Sequence, residues 1–533
     1  MTRGVGRAAL LIAVVTAGAR VAGFGRTVVF SQTVGDTCLG AAYITANQLP
    51  AVLFEIVIGG ALTAVVVPVM AAAAERGEQD RVERTASALF TWVLLLSVPL
   101  AGLIALSAPY AMALMLGGGA GCDPRVLAAL SVRMLLVFAP QVVFYGLAAV
   151  LYGVLQSHRR FLSPAAAPLV SSAVVICSYL VFVPLGGAYR DDPAGLPSGA
   201  ELVLSAGTTA GVAALFLTVL GPAARLGLRW RPRLAFPPGA GRRVRSLAVA
   251  SLVPLAAMQV CLLLSVALAN RGGGVGGAVL YSYAWALFML PYGVIAVPIA
   301  TSAFTALAVA YADRDQGVYA ELVAGAARAC VVLTGAVGTA LAAAAAPVAA
   351  VFSRYDPVAL ERALAAYAPG VVGFGLVALF SRALYASHNG RSAAVAQTLG
   401  WLLVMGCSVV SVAVVPAGWA IAALGWSTTL GLTCAASGCA VSVWRMHGAA
   451  ALAGAGRSVV AVMMGGGLGW AVGRPAAAAA AGGGVWSSAG AALAAGGLAL
   501  AVFALVAASV DRPSARVALE RVQSMFEGRR GNR

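Results

Sequence analysis

"LPAVLFEIVIGGALTAVVVPVM", residues 49–70, decides the fold class: it is an apolar run with one charged side chain, Glu55. A stretch of about 20 apolar residues crosses a hydrocarbon layer as a helix. A carboxylate at the bilayer centre costs ~2.5–3.5 kcal/mol on insertion scales. Glu55 is therefore expected to face a cavity or a cation, not lipid.

The rest of the chain repeats the pattern. Its 533 residues are 61% hydrophobic and 10% charged, with mean hydropathy +0.92. A soluble chain carries roughly 25% charged residues. The apolar runs are also far longer than the ~10 residues of a membrane barrel strand. The expectation is an all-α polytopic membrane protein of about 14 spans, with rough limits 8–34, 38–72, 84–116, 125–155, 162–186, 200–224, 246–270, 276–310, 318–352, 358–386, 392–415, 418–443, 452–473 and 485–510. The start, "MTRGVGRAALLIAVVTAGARVAGFGR", imitates a secretory signal but runs on past Arg26 without a cleavage site, so it reads as a retained first span.

All 35 basic residues are arginine. With the N-terminus inside, alternate loops collect 23 of them and the opposite loops six: Arg125, Arg190, Arg271, Arg354, Arg362 and Arg474. This bias predicts a multi-pass protein of the plasma membrane with both termini cytoplasmic. It also accounts for the net charge of +17, so no nucleic-acid partner is expected. In the tail, 511–533, Ala518, Val522, Met525 and Phe526 share a helical face among arginines. That suits an interfacial helix on anionic membrane lipids, or equally a solvated basic tail.

The eight cysteines show no metal or disulfide spacing, and most lie in apolar runs as small fillers. Cys38 and Cys122 fall near outer loops, where the pattern favours two free thiols over a bridge.

There is an internal repeat. Residues 49–79 resemble 290–316: both begin Leu-Pro and end Ala-rich before a charged loop. "SAPYAMALML" is echoed by "AAPVAAVFSR", and "LYGVLQSHRR" by "LYASHNGRS", at offsets of 233–241 residues. Both copies start on an even-numbered span, so the halves share one topology. The expected organisation is an N-terminal lobe, 1–224; a basic cytoplasmic linker, 225–245; a C-terminal lobe, 246–443; two appended helices, 444–510; and the tail, 511–533. Transporters built from repeats bind substrate near the midplane between the halves.

The charges inside the membrane are few. Glu55 is the acidic residue deep in a span, and none occurs between Glu361 and Asp511. His158, His388 and His447 fall in loops, so no His or Asp proton relay is expected. Arg20 and Arg26 lie in span 1 around Gly23 and Gly25, which permit a bend or close helix approach. Arginine's planar fork suits phosphate oxygens. Counting from the turn near Asp36 at 1.5 Å per residue, Arg20 and Glu55 differ in depth by only ~5 Å, close enough to meet. Asn47 and Gln48 lie nearer the level of Arg26. Gln48, Glu55, Gly59 and Leu62 share a helical face. That face is expected to line a cavity, against the plainer reading of an ion pair pinning a hairpin. Gln259 and Tyr283 are further candidate cavity residues. Pro50 and Pro291 are candidate kinks or hinges. Arg133, Arg328 and Arg382 are expected to snorkel or pair locally.

At "RVAGFGRTVVFSQTVG…LPAVLFEIVIGGALTAVVVPVM" the chain resembles the MviN/MurJ family of lipid II flippases, in the multidrug/oligosaccharidyl-lipid/polysaccharide exporter superfamily. "VLYGVLQSHRRFLSPAAAPLV" and "YSYAWALFMLPYGVIAV" resemble its later motifs, in an actinobacterial style. The resemblance implies two six-helix lobes around a cavity and two helices forming a lipid-exposed groove. It implies movement of an undecaprenyl-diphosphate-linked peptidoglycan precursor from inner to outer leaflet by alternating access. By that match Arg20 and Arg26 fall on the family's two span-1 cavity arginines. Three positions depart from the family pattern: Ala41 stands for an acidic residue, Phe54 or Glu55 for a basic one, and Ala286 for an arginine. Two other readings stand beside the flippase: an exporter of another polyprenyl-linked glycan, and a membrane scaffold that recruits cell-wall synthesis or division proteins. The sequence shows no metal cluster, nucleophile–base pair or phosphate loop, so neither an enzyme nor a cofactor is expected.

Overall fold

The computed structural model describes residues 2–56, 76, 78–117, 121–228, 230–235, 240–479 and 484–510. Gly59, Leu62, part of the basic linker and the whole tail therefore lie outside the described residues. In lipid a backbone must satisfy its own hydrogen bonds, and helices do so locally. The described secondary structure is helical, in the order α1 (Thr2–Thr33), α2 (Cys38–Phe54), α3 (Gln79–Leu116), α4 (Pro124–Phe138), α5 (Gln141–Ser157), α6 (Leu162–Gly186), α7 (Ser198–Ala224), α8 (Ala240–Gly272), α9 (Gly277–Pro291), α10 (Val297–Ala312), α11 (Gln316–Ala343), α12 (Ala345–Phe352), α13 (Pro357–Tyr367), α14 (Gly370–Ala386), α15 (Gly390–Val414), α16 (Ala417–His447), α17 (Ala455–Ala479) and α18 (Val485–Val510). Among the described residues twelve segments are long and apolar enough to cross a membrane. With α1 and α2 beside them, this agrees with about fourteen spans.

Local chemistry sets the helix ends. Thr37 caps α2 by accepting from Gly40 N at 3.0 Å. Asp123 caps α4 by accepting from Arg125 N and Val126 N, with Pro124 in the first turn. Asp356 caps α13 in the same way, ahead of Pro357. A short polar side chain followed by proline satisfies donors that a helix start leaves open.

The chain forms two compact units, Met1–Ser282 and Tyr283–Arg533, divided within α9. The sequence placed the boundary between lobes in the 225–245 linker; by packing, α8 goes with the first unit, against α3 and α2. In the first unit α6 and α7 form an antiparallel pair, α1 lies on α6, and α5 lies on α7 and α3. In the second unit α15 pairs with α16, α14 lies on α16, and α17 and α18 pair beside α11.

The repeat is visible in the helices. α5 and α14 both contain 17 residues and both follow a proline, Pro140 and Pro369. Both end just before a non-glycine residue of positive φ, Arg159 at 58° and His388 at 60°. This pairing sets Gln141 against Gly370, one helical turn away from the register read from the Leu-Tyr pairs. Each Leu-Pro motif is followed by π-helical backbone: Glu55–Ile56 after Pro50, and Tyr292–Ala296 after Pro291.

Small residues let helices approach where no hydrophobic force between them exists. A Cβ at Gly400 of α15 would stand 2.9 Å from Gly431 O of α16, and a Cβ at Gly431 would stand 2.6 Å from Gly400 O. Only glycine fits that crossing.

One expectation about the loops is corrected. Cys38 and Cys122 form a disulfide, with Cα atoms 5.9 Å apart, tying the start of α2 to the turn before α4. The folded loops bring the two thiols within bonding reach, which their 84-residue separation concealed.

Candidate functional site

The candidate site lies in the first unit and is built from α1, α2 and α5. α1 runs unbroken through Gly23 and Gly25. A Cβ at either glycine would meet nothing within 4 Å among the described residues, so close packing is not what keeps them small here. Arg20 and Arg26 are exposed on the helix surface. Among the described residues neither forms an ion pair, and neither meets Glu55 in one. Depth counting put Arg20 and Glu55 near one level but said nothing of which way each faces.

Glu55 stands exposed just past α2, at the first π-helical residue. Arg26 and Glu55 both belong to the electrostatic surroundings of Tyr145 of α5. Arg26 belongs to those of Tyr43 of α2 as well.

Tyr43 anchors the floor of this region. Its hydroxyl is hydrogen-bonded to Tyr179 Oη at 2.8 Å and to Thr208 Oγ1 at 2.7 Å, linking α2 to α6 and α7. Phe30, one turn after Arg26, packs on Tyr43 and Tyr179 at 5.2 and 5.3 Å between ring centroids. Phe138 meets Tyr43 edge-on at 5.6 Å. Asn47 follows Tyr43 by one turn, on the same face of α2. Its Oδ1 is buried and lacks a hydrogen-bond partner among the described residues, as does the hydroxyl of Tyr152, two turns after Tyr145. A buried acceptor left open costs about 1–3 kcal/mol, and a visiting donor recovers it. Gln48 is half-buried beside Asn47, and Pro50 is buried.

The other candidates fall elsewhere. Gln259 is buried in α8, in the first unit. Tyr283 opens the second unit, buried with its ring 5.5 Å from Phe352. Arg133 pairs with Glu201, the local pairing expected of it. Arg328 lies against Gly454. Arg382 turns back along its own helix to donate to Ala378 O at 3.1 Å. Ala41 is buried, so this chain has no carboxylate at that point on α2. Among the described residues no group of three His, Cys, Asp or Glu side chains could hold a metal ion.

Sequence reading missed Tyr43, Tyr145 and Tyr152. The signal was present: Tyr145 and Tyr152 recur at seven residues along an apolar helix, and Tyr43 precedes Asn47 by four. The arrangement combines exposed guanidinium groups with phenols and an open amide acceptor. It can bind an anion whose neighbouring groups also donate hydrogen bonds.

The chain is similar to known proteins over most of its length. A family model described as "Lipid II flippase MurJ" matches residues 30–472. The "Probable lipid II flippase MurJ" of Rhizobium meliloti is 26% identical over 455 residues, covering 81% of this chain and 79% of that protein. The "Lipid II flippase MurJ" of Burkholderia cenocepacia is 24% identical over 394 residues, covering 72% and 73%. Among solved structures, a "Lipid II flippase MurJ, inward closed conformation" superposes with a TM-score of 0.71 at 16% identity, over 95% of this chain and 99% of that one. An inward-facing multidrug resistance MATE family transporter of the MOP superfamily gives 0.63 at 15% identity, over 82% and 94%.

Proposed function

The chain belongs to the MurJ family of lipid II flippases, and from that premise we propose that it carries lipid II, an undecaprenyl-diphosphate-linked peptidoglycan precursor, from the inner to the outer leaflet of the plasma membrane. Membership supports transport as its work. The observation that carries the proposal is the pair of exposed α1 arginines without an ion-pair partner among the described residues. A cation in a membrane is costly unless a partner anion arrives. A diphosphate provides one, and arginine's fork matches its oxygens.

In this proposal Arg20 and Arg26 hold the diphosphate, Asn47 and Gln48 meet the sugar, and Glu55 sets the balance of charge as the site changes access. Gly23, Gly25, Pro50 and Pro291 permit bends as access changes, and the π-helical turns after the two prolines can absorb them. Both termini are cytoplasmic by the arginine bias, and the basic tail rests on anionic lipids. Cell-wall synthesis or division proteins are the expected protein partners.

The test replaces a host's own lipid II flippase with this protein, wild type or Arg26→Ala, at matched membrane levels, and measures lipid II in the outer leaflet. Restoration by wild type and loss with Arg26→Ala supports the proposal. A well-inserted wild type that restores nothing overturns it.

A further inference from the structure

The second unit contains a pocket of about 360 Å³, within the size range of small-molecule sites. Its lining includes Tyr292, Phe374, Ser381, Arg382, Tyr385 and Gln397. Three observations say what it holds.

First, Arg382 is one turn from the end of α14, yet its Nη1 donates to Ala378 O, back along the helix and away from that end. It does not snorkel. Among the described residues it forms no ion pair, and the chain has no acidic residue from 362 to 510 to supply one. Glu361, the nearest acid before that gap, is engaged by Arg474 at 3.3 Å. A guanidinium with no ion-pair partner among the described residues keeps donors that an anionic ligand can take.

Second, Gln397 has a settled orientation. Its Nε2 donates to Ser381 Oγ at 3.0 Å and to Ala393 O at 3.3 Å. A carbonyl can only accept, so the amide nitrogen is the atom turned inward and Oε1 remains an acceptor at the pocket. A ligand here brings an anionic oxygen and an N–H donor together. A phosphate offers the first without the second.

Third, Tyr292 and Phe374 stack at 3.9 Å between centroids with planes 13° apart, and Tyr292 begins the π-helical turn. Such turns concentrate at functional sites. The stacked pair gives the pocket a flat apolar wall for a small side chain.

We propose that this pocket binds the C-terminal carboxylate of a peptide, Arg382 taking the carboxylate and Gln397 the preceding amide N–H. Resting on the flippase reading for the identity of that peptide, the occupant is the stem peptide of the lipid-linked precursor. The pocket thereby distinguishes a substrate with an intact peptide end from one without it.

The test uses the full-length protein in lipid nanodiscs. Three probes are compared: a soluble stem pentapeptide with a free carboxylate, the same peptide as its C-terminal amide, and inorganic pyrophosphate. Hydrogen exchange is followed in 292–304 and 374–397, with affinity measured by titration. The free acid should protect both segments and bind about tenfold more tightly than the amide, the loss expected for one charge-assisted hydrogen bond. Arg382→Gln should erase that preference. Gln397→Leu, which keeps the cation, should weaken the acid about threefold and keep the preference. Equal binding of acid and amide, no protection of either segment, or pyrophosphate protection equal to that of the acid overturns the proposal. If the pentapeptide behaves as expected while the exposure assay of the previous section fails, the pocket stands and the lipid II reading falls.

Discussion

Arg133 of α4 grips Glu201 of α7 through three hydrogen bonds: Nε to Oε1 at 2.9 Å and to Oε2 at 3.1 Å, and Nη2 to Oε2 at 2.8 Å. The carboxylate is almost buried, whereas the arginine side chain remains more than half exposed. The pair fixes α4 to α7 across 68 residues of sequence. Bidentate geometry makes it stronger than an ordinary surface pair, and the exposure of Arg133 holds it below the value of a fully buried one.

Glu201→Gln is therefore expected to lower stability by about 1–2 kcal/mol. Arg133→Gln alone should cost a similar amount, and the double variant less than the sum. Thermal unfolding in detergent across the four proteins measures that coupling. Strict additivity would show that the pair contributes nothing.

The disulfide makes a prediction that needs no activity assay. Protein denatured without reductant should take up alkylating label at six cysteines, and after reduction at eight. Intact mass reads the difference. Cys38→Ser should then lower stability by about 2–4 kcal/mol through the freed loop. Eight labels without reductant would refute the bridge.

Asn47 separates a structural role from a functional one. Its open Oδ1 contributes nothing to the fold, so Asn47→Leu should leave thermal stability unchanged or raise it. If the amide receives a donor from the substrate, the same variant should reduce lipid II exposure about tenfold. Loss of stability with full transport would place Asn47 in the scaffold.

The site was partly legible in the sequence. Arg26, Asn47 and Glu55 stood out because each is a polar residue in an apolar run, and a membrane makes that costly wherever it occurs. Arg20 and Glu55 were matched by depth, and the structure shows no ion pair between them. Depth follows from counting 1.5 Å per residue, but direction turns by about 100° at each step, so counting finds the level and not the partner. Tyr145, whose electrostatic surroundings include both Arg26 and Glu55, was hidden because a phenol is unremarked among aromatic fillers until its neighbours are known.

The sequence by itself determined that this chain crosses a membrane many times as helices, roughly where most of the described helices start and stop, and that its halves repeat. Those properties are local: apolar length, capping residues and proline act on the stretch that contains them. Only the tertiary structure decided that Cys38 meets Cys122, that Arg133 takes Glu201, that Tyr43 joins Tyr179 and Thr208, and that Arg382 faces a pocket without a carboxylate among the described residues. Each of these depends on how a helix is rotated against its neighbours. That rotation is set by the fit of small residues such as Gly400 and Gly431 at the crossings, and a one-dimensional pattern of hydrophobicity does not contain it.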